Sequence, residues 1–313
     1  MKKDTLIAVE GLVFEYPGLR ALDGVSFNIE PGGITALVGP NGAGKTTLMR
    51  CMAALMAPLA GRILLDGFDV HEAPRKSHRE MGYLSDFFGL YDDLTVRQCL
   101  RYRAMAQGIA AADQPPAVEE AAAQVRLSER MRQKAGALSR GLRQRLAIAQ
   151  AIVHRPRFLL LDEPASGLDP EARQELSELL RGLSAAGMTI LVSSHILAEL
   201  QDYCTHMLIL NQGRLVDHRA IEGAGAEDRR RMRLRLSRPD ARLMDALAQA
   251  PGVTDLRVQE TGAEFFLQGG EAAAVELLQT LVTTGMPVCE LAPSRADLQD
   301  AYLARVRGGE HGP

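Results

Sequence analysis

Gly39, Pro40, Asn41, Gly42, Ala43, Gly44, Lys45, Thr46 and Thr47 fit the pattern G-x-x-x-x-G-K-[ST]. They lie between an apolar run, residues 34–38, and a helix-like run, residues 48–55. Strand, glycine loop and helix in that order make a phosphate-binding loop. The glycines let backbone N–H groups approach phosphate oxygens, and the helix N-terminus behind them favours anions. Lys45 can reach the β- and γ-phosphates, and Thr46 can hold Mg2+. A second group ends the apolar run Phe158–Leu161, where Asp162 and Glu163 stand side by side before Pro164. Asp162 can hold Mg2+ through its water shell. Glu163 can orient and deprotonate an attacking water. Together these residues have the chemistry to hydrolyse a nucleoside triphosphate.

The elements that must position them can be read from hydrophobic period and turn residues. Residues 7–14 and 25–29 alternate as antiparallel strands do, with a turn around Pro17 and Gly18. Residues 34–38, 158–161 and 189–192 are short apolar runs of the buried-strand type. The helix from Lys45 is expected to end near Pro58 or Gly61, and residues 62–65 read as a strand turning at Asp66 and Gly67. Residues 95–147 read as mostly helical, broken at 114–116 and near 136–141. A helix at 170–186 precedes strand 189–192, and a hairpin over Asn211, Gln212 and Gly213 closes this region. Composition shifts near residue 222, where a charged, glycine-containing linker begins. Beyond it the order is strand, helix, strand, strand, helix, strand, the ferredoxin-like pattern. A last helix is expected over 295–306. The expected domains are therefore 1–222 and 228–313.

Composition narrows the class. The chain has 313 residues, 46% of them hydrophobic, enough for about two domains. A formal charge of −3 argues against bulk electrostatic binding of nucleic acid. Arginine outnumbers lysine 31 to 5, which a coding bias explains as well as any binding role. Cys51, Cys99, Cys204 and Cys289 are widely spaced, form no C-x-x-C and fit a reducing compartment. The N-terminal residues lack the apolar length of a signal peptide. No run reaches the length of a membrane span; the longest uncharged apolar stretch, 51–61, contains Pro58. The chain is expected to be soluble, so work at a membrane would require another chain to cross it.

A third motif is Leu138, Ser139, Arg140, Gly141 and Leu142, followed by an apolar helix. Taken alone, Ser139 is an ordinary helix N-cap. In this order, however, the motifs over residues 6–220 resemble the nucleotide-binding subunit of an ATP-binding cassette (ABC) transporter. The family signature is usually L-S-G-G-Q; here it is L-S-R-G-L. The resemblance implies that Ser139 and Gly141 contact the γ-phosphate held by an opposite subunit. It likens Tyr16 to the aromatic that stacks on adenine, with a core tyrosine in a turn as the other reading. It likens Ser166, Gly167, Leu168 and Asp169 to the loop through which two nucleotide sites communicate. His195 matches the switch histidine that touches the γ-phosphate. After Met81, Gly82, Tyr83 and Leu84 the family commonly has proline and then glutamine or glutamate, but this chain has Ser85 and Asp86. Aspartate is a methylene shorter, so Asp86 is either a metal ligand, reaching Mg2+ directly or through water, or a plain exposed acid. Phe87, Phe88 and Tyr91 follow where the family docks its membrane partner.

The resemblance implies a P-loop ABC cassette: a mixed sheet core, an antiparallel β subdomain and a helical subdomain. It implies ATP and Mg2+ as ligands. It implies dimerisation with a second copy or a homologous ATPase, and an integral-membrane permease at the cytoplasmic face as partner. The C-terminal domain points weakly to export. Two other readings stay open. One is a low-turnover regulatory subunit, suggested by Asp86 and Arg140. The other is a soluble ABC protein of translation or DNA repair, which one cassette without sustained heptads disfavours.

Overall fold

In the computed structural model, residues 5–196, 200, 203–221 and 229–293 are described. The chain divides between Ala220 and Ile221 into two compact units. The helix expected over 295–306 lies outside the described residues.

The first unit holds two sheets. In one, β1 (Ile7–Tyr16) pairs antiparallel with β2 (Leu19–Ile29) and β4 (Ala60–Leu65), and β4 pairs with β5 (Phe68–Asp69). Asp66 and Gly67 join β4 to β5 with φ of 49° and 81°, the left-handed pair that a tight hairpin demands. The other sheet contains β3 (Ile34–Val38), β6 (Met81–Leu84), β7 (Phe158–Leu161), β8 (Thr189–Ser194), β9 (His206–Asn211) and β10 (Arg214–Ala220). Its order is β10-β9-β3-β8-β7-β6, parallel except for the β9–β10 hairpin. Every residue of β3, β7 and β8 is buried. Strands covered on both faces read as continuous apolar runs rather than alternations, which is why the sequence shows them so plainly.

β6, like β5 before it, is a strand that the hydrophobic pattern missed. It is four residues long and includes Gly82. A methyl group on Gly82 would lie 2.3 Å from the Ala151 carbonyl oxygen, so a helix backbone passes close over this strand. That helix is α5 (Arg140–Ile152). Among the described residues, the other α-helices of this unit include α1 (Lys45–Met52), α2 (Pro74–Glu80), α3 (Val96–Ala106), α4 (Gln114–Gln124) and α6 (Pro170–Ala185). α1 stops at Met52, short of Pro58, because the chain turns at Ala54 with φ 53°. Pro115 and Pro116 do not break a helix but begin one: they occupy the first turn of α4, where a missing N–H costs nothing. α3 opens on a capping box, with Thr95 and Gln98 satisfying each other's backbone donors. Asp169 caps α6 by accepting the Ala172 N–H at 2.8 Å. Among the described residues no helix is long and apolar enough to cross a membrane.

The second unit runs β11 (Arg229–Leu236), α7 (Leu243–Ala248), β12 (Val253–Gln259), β13 (Gly262–Gln268), α8 (Gly270–Thr283) and β14 (Val288–Pro293). Its sheet order is β12-β13-β11-β14, antiparallel throughout. That is the expected order of elements closed in the ferredoxin-like way. Met232, Leu234 and Leu236 alternate with arginines along β11 and enter a core with Leu247, Phe265 and Leu281.

Candidate functional site

The parallel sheet gathers the chemistry. β3, β8, β7 and β6 are neighbours in that order, and their carboxyl ends lie at one edge. β3 runs into the glycine loop, β8 into His195, β7 into Asp162 and Glu163, and β6 into Ser85 and Asp86. A crevice outside the carboxyl ends of parallel strands is where open α/β sheets bind ligands. Tyr16, Asn41, Gly42, Gly44, Lys45, Thr46, Thr47, Asp86, Glu163 and His195 line one cleft there of about 410 Å3. Residues more than 150 positions apart in sequence thus meet around one cleft.

The glycine loop is shaped by two close approaches. A methyl on Gly39 would sit 2.2 Å from the Leu210 carbonyl oxygen. Gly44 caps α1 with φ 104°, and a methyl there would meet the Ala21 carbonyl at 2.6 Å. α1 starts at Lys45, which is only 7% exposed. The Lys45 ammonium donates to the Gly39 carbonyl at 2.8 Å and to the Pro40 carbonyl at 3.3 Å. It also lies 3.6 Å from Glu163 Oε1. A phosphate entering the loop would therefore meet a buried cation already held in place.

Glu163 stands in the left-handed region with φ 49°. For a residue with a Cβ that conformation costs about 1–2 kcal/mol, and its neighbours must hold it. Its N–H donates to Ser193 Oγ at 2.9 Å, and its carbonyl accepts the Ser166 N–H at 3.0 Å. The carboxylate reaches Lys45 with one oxygen and His195 Nδ1, at 2.8 Å, with the other. A carboxylate held between a cation and an imidazole has the reach and fixed aim of a general base.

Asp162 is almost fully buried. Its Oδ1 accepts the Ser193 hydroxyl at 2.6 Å, while Oδ2 is buried without a hydrogen-bond partner. An orphaned carboxylate oxygen costs free energy unless a cation or water meets it. Thr46 and Asp86 line the cleft, and Asp162 lies behind it, next in the chain to the lining residue Glu163; the donor set is all oxygen, which suits Mg2+. Burial raises the Asp86 pKa first, then the charges of Asp162 and Glu163, with His195 opposing them. Asp86 is exposed at the rim of the cleft, near enough to Asp162 and Glu163 to feel their charge.

Tyr16 lies at the end of β1 with its hydroxyl 3.3 Å from Thr47 Oγ1. Beside it in the cleft stands Leu19, an apolar side chain that the sequence reading did not single out. Ser193 was missed as well; its polarity directly after the apolar run 190–192 was the available signal. Ser139 and Gly141 do not join this cleft. They line a separate one of about 710 Å3, rich in arginine, at the start of α5. The Ser139 side chain accepts the Leu142 N–H at 3.4 Å.

A glycine loop on β3 beside two carboxylates on β7 defines a phosphate-loop nucleotide-binding protein. The comparisons carry this further. Residues 22–166 match the family model described as ABC transporter. A solved ATP-binding subunit of an ABC transporter aligns at 33% identity and TM-score 0.62, covering 70% of this chain and 91% of that one. The bacitracin transport ATP-binding protein BcrA of Bacillus licheniformis is 29% identical over 98% of this chain and 99% of its own length. The Nod factor export ATP-binding protein I of Burkholderia thailandensis is 38% identical over 64% of this chain, a match that spans 66% of that relative. The chain belongs to the ABC transporter family. It is an ATP-binding subunit of that family, with the cassette fold and the ATPase activity that define it.

Proposed function

We propose that this chain powers an exporter: it closes as a dimer around two ATP, hydrolyses them and drives a separate permease. The observation that carries this reading is the separation of the two clefts. Lys45, Glu163 and His195 line one; Ser139 and Gly141 line the other, and among the described residues none lines both. One chain holds the triphosphate and the base, and a second copy or a homologous ATPase supplies Ser139 and Gly141 to the γ-phosphate. Neither half is complete alone, so hydrolysis waits for closure.

The glycine loop, residues 39–47, cradles the phosphates with backbone N–H groups, and Tyr16 stacks on the adenine. Lys45 holds the γ-phosphate and gives up its ion pair with Glu163 to do so. Glu163 then takes the proton of the attacking water, and His195 holds its second oxygen in place. Catalysis here is mostly positioning and charge stabilisation. Mg2+ when bound supplies charge neutralisation at the phosphates, and Thr46, Asp162 and Asp86 would hold it. Asp86→Ala is expected to raise the Mg2+ concentration for half-maximal ATPase several-fold, about 1 kcal/mol. ATP binding measured in EDTA should not change. An unaltered Mg2+ titration would remove Asp86 from the metal site.

Export is supported by the names of the relatives and by the BcrA match, which runs through both units of the chain. We assign residues 1–222 to the cassette and 228–313 to an accessory domain. The division at Ala220 and Ile221 favours that assignment. Docking of a permease at the cytoplasmic face of the membrane is supported by Phe87, 95% exposed, and Tyr91, 57% exposed, just beyond Asp86. The intact contacts among Lys45, Glu163 and His195 disfavour the low-turnover regulatory alternative.

The test is capture of partners from detergent-solubilised native membranes with tagged Glu163→Gln chain and ATP. A multi-span membrane protein recovered in stoichiometric amount is the expected result. Recovery of ribosomes, DNA or soluble proteins alone would overturn the transport role while leaving the ATP site intact.

A further inference from the structure

Arg140 begins α5 and lines the second cleft, yet its side chain reaches the loop that follows Glu163. Its Nη2 donates to the Ser166 carbonyl at 3.0 Å. The guanidinium also lies against Gly167: a methyl there would come within 2.2 Å of Nη2 and 2.5 Å of Cζ. Gly167 has φ 65°, so its bare α-carbon serves twice, for the backbone and for the arginine. Ser166 in turn lines the nucleotide cleft and donates its N–H to the Glu163 carbonyl at 3.0 Å. Glu163 is held in a strained conformation, so its aim depends on such neighbours. A line of contacts therefore runs within one chain, from the turn between Ser139 and Gly141, through Arg140 and Ser166, to Glu163.

We infer that Arg140 is a positioning residue that ties the Ser139–Gly141 turn to the loop carrying Glu163. Through this tie, engagement of the turn by a second copy's nucleotide and alignment of Glu163 become one event. The guanidinium suits the task because it can donate to a carbonyl with one nitrogen while its carbon rests on a bare backbone. A glycine at this position has no atoms to make the tie. Arg140 is absent from the lining of the Lys45 cleft, so its loss should spare nucleotide binding and fall on turnover. The inference rests on the proposed role of Glu163 as base.

Steady-state ATPase of the full chain tests it. Arg140→Ala is expected to lower kcat about tenfold with KM for ATP within about twofold, the scale of one charge-assisted hydrogen bond. Arg140→Lys keeps the charge and a donor for Ser166 but loses the contact with Gly167, so it should recover to within about threefold of wild type. Gly167→Ala pushes the guanidinium away from the other side, with the charge unchanged. It should reproduce the fall in kcat, and the double variant should fall no further than the lower single one. Thermal melts and ATP titrations establish that each variant is folded; if Gly167→Ala is not, the Arg140→Ala and Arg140→Lys pair decides. Wild-type kcat in Arg140→Ala, a raised KM with kcat unchanged, no recovery in Arg140→Lys, or losses that multiply in the double variant would each overturn the tie. Glu163→Gln assayed in parallel separates the two claims. If it turns over at the wild-type rate, the base assignment fails; if it is inactive while Arg140→Ala is normal, only the tie fails.

Discussion

Glu163→Gln is expected to abolish nearly all turnover, by about 10²–10⁴-fold or about 3–5 kcal/mol, while leaving ATP binding intact. Glutamine has the shape of glutamate and one carbonyl oxygen to face Lys45. Its amide cannot accept a proton from water. The strained backbone at φ 49° is held by main-chain bonds to Ser193 and Ser166, which the substitution does not touch. The phosphate loop, Tyr16 and Lys45 all remain, so ATP should still enter. Because hydrolysis is what removes the γ-phosphate gripped from both sides, the variant should accumulate as an ATP-bound dimer. Phosphate release and light scattering with ATP measure the two effects separately. Wild-type phosphate release would remove Glu163 from the base role, and a monomer with ATP bound would contradict closure around the γ-phosphate.

Lys45→Ala should act one step earlier. The ammonium is buried, and in the free chain it is held by the Gly39 and Pro40 carbonyls and by Glu163. Those partners fix the cation where a phosphate arrives, so little ordering is left to do on binding. A charge-assisted contact to phosphate in such a site is worth about 2–3 kcal/mol, or 30- to 150-fold in ATP affinity. ADP should lose less than ATP, since the lysine serves the outer phosphates. A fluorescent-nucleotide titration checks both. Equal affinity for ATP in the variant and the wild type would contradict the loop assignment.

Much of this site was legible because it is local. The glycine loop is nine consecutive residues between a strand and a helix. Asp162 and Glu163 are adjacent at the end of an apolar run. Local patterns survive in a sequence because their geometry is made by neighbours along the chain. The buried strands β3, β7 and β8 were legible for a related reason: both faces are covered, so most positions are apolar, with Thr35, Thr189, Ser193 and Ser194 the buried polar exceptions. β6 escaped because a four-residue strand with a glycine carries little periodic signal, and that glycine answers to the backbone of α5. Pro115 and Pro116 misled because proline stops a helix interior but suits a first turn.

The sequence by itself determined the class of the protein, the phosphate loop, the paired acids and the order of elements in the second unit. These depend on spacing within a few residues and on apolar period. Only the tertiary structure decided three further things. Parallel pairing of β6, β7, β8 and β3 brought Asp86, Glu163, His195 and Lys45 to one cleft. Folding placed Ser139 and Gly141 in another cleft. It also laid the Arg140 guanidinium against Gly167, 27 residues on, where a bare α-carbon admits it. Strand order and side-chain reach are set by packing between segments far apart in the chain, and no local pattern of residues encodes them.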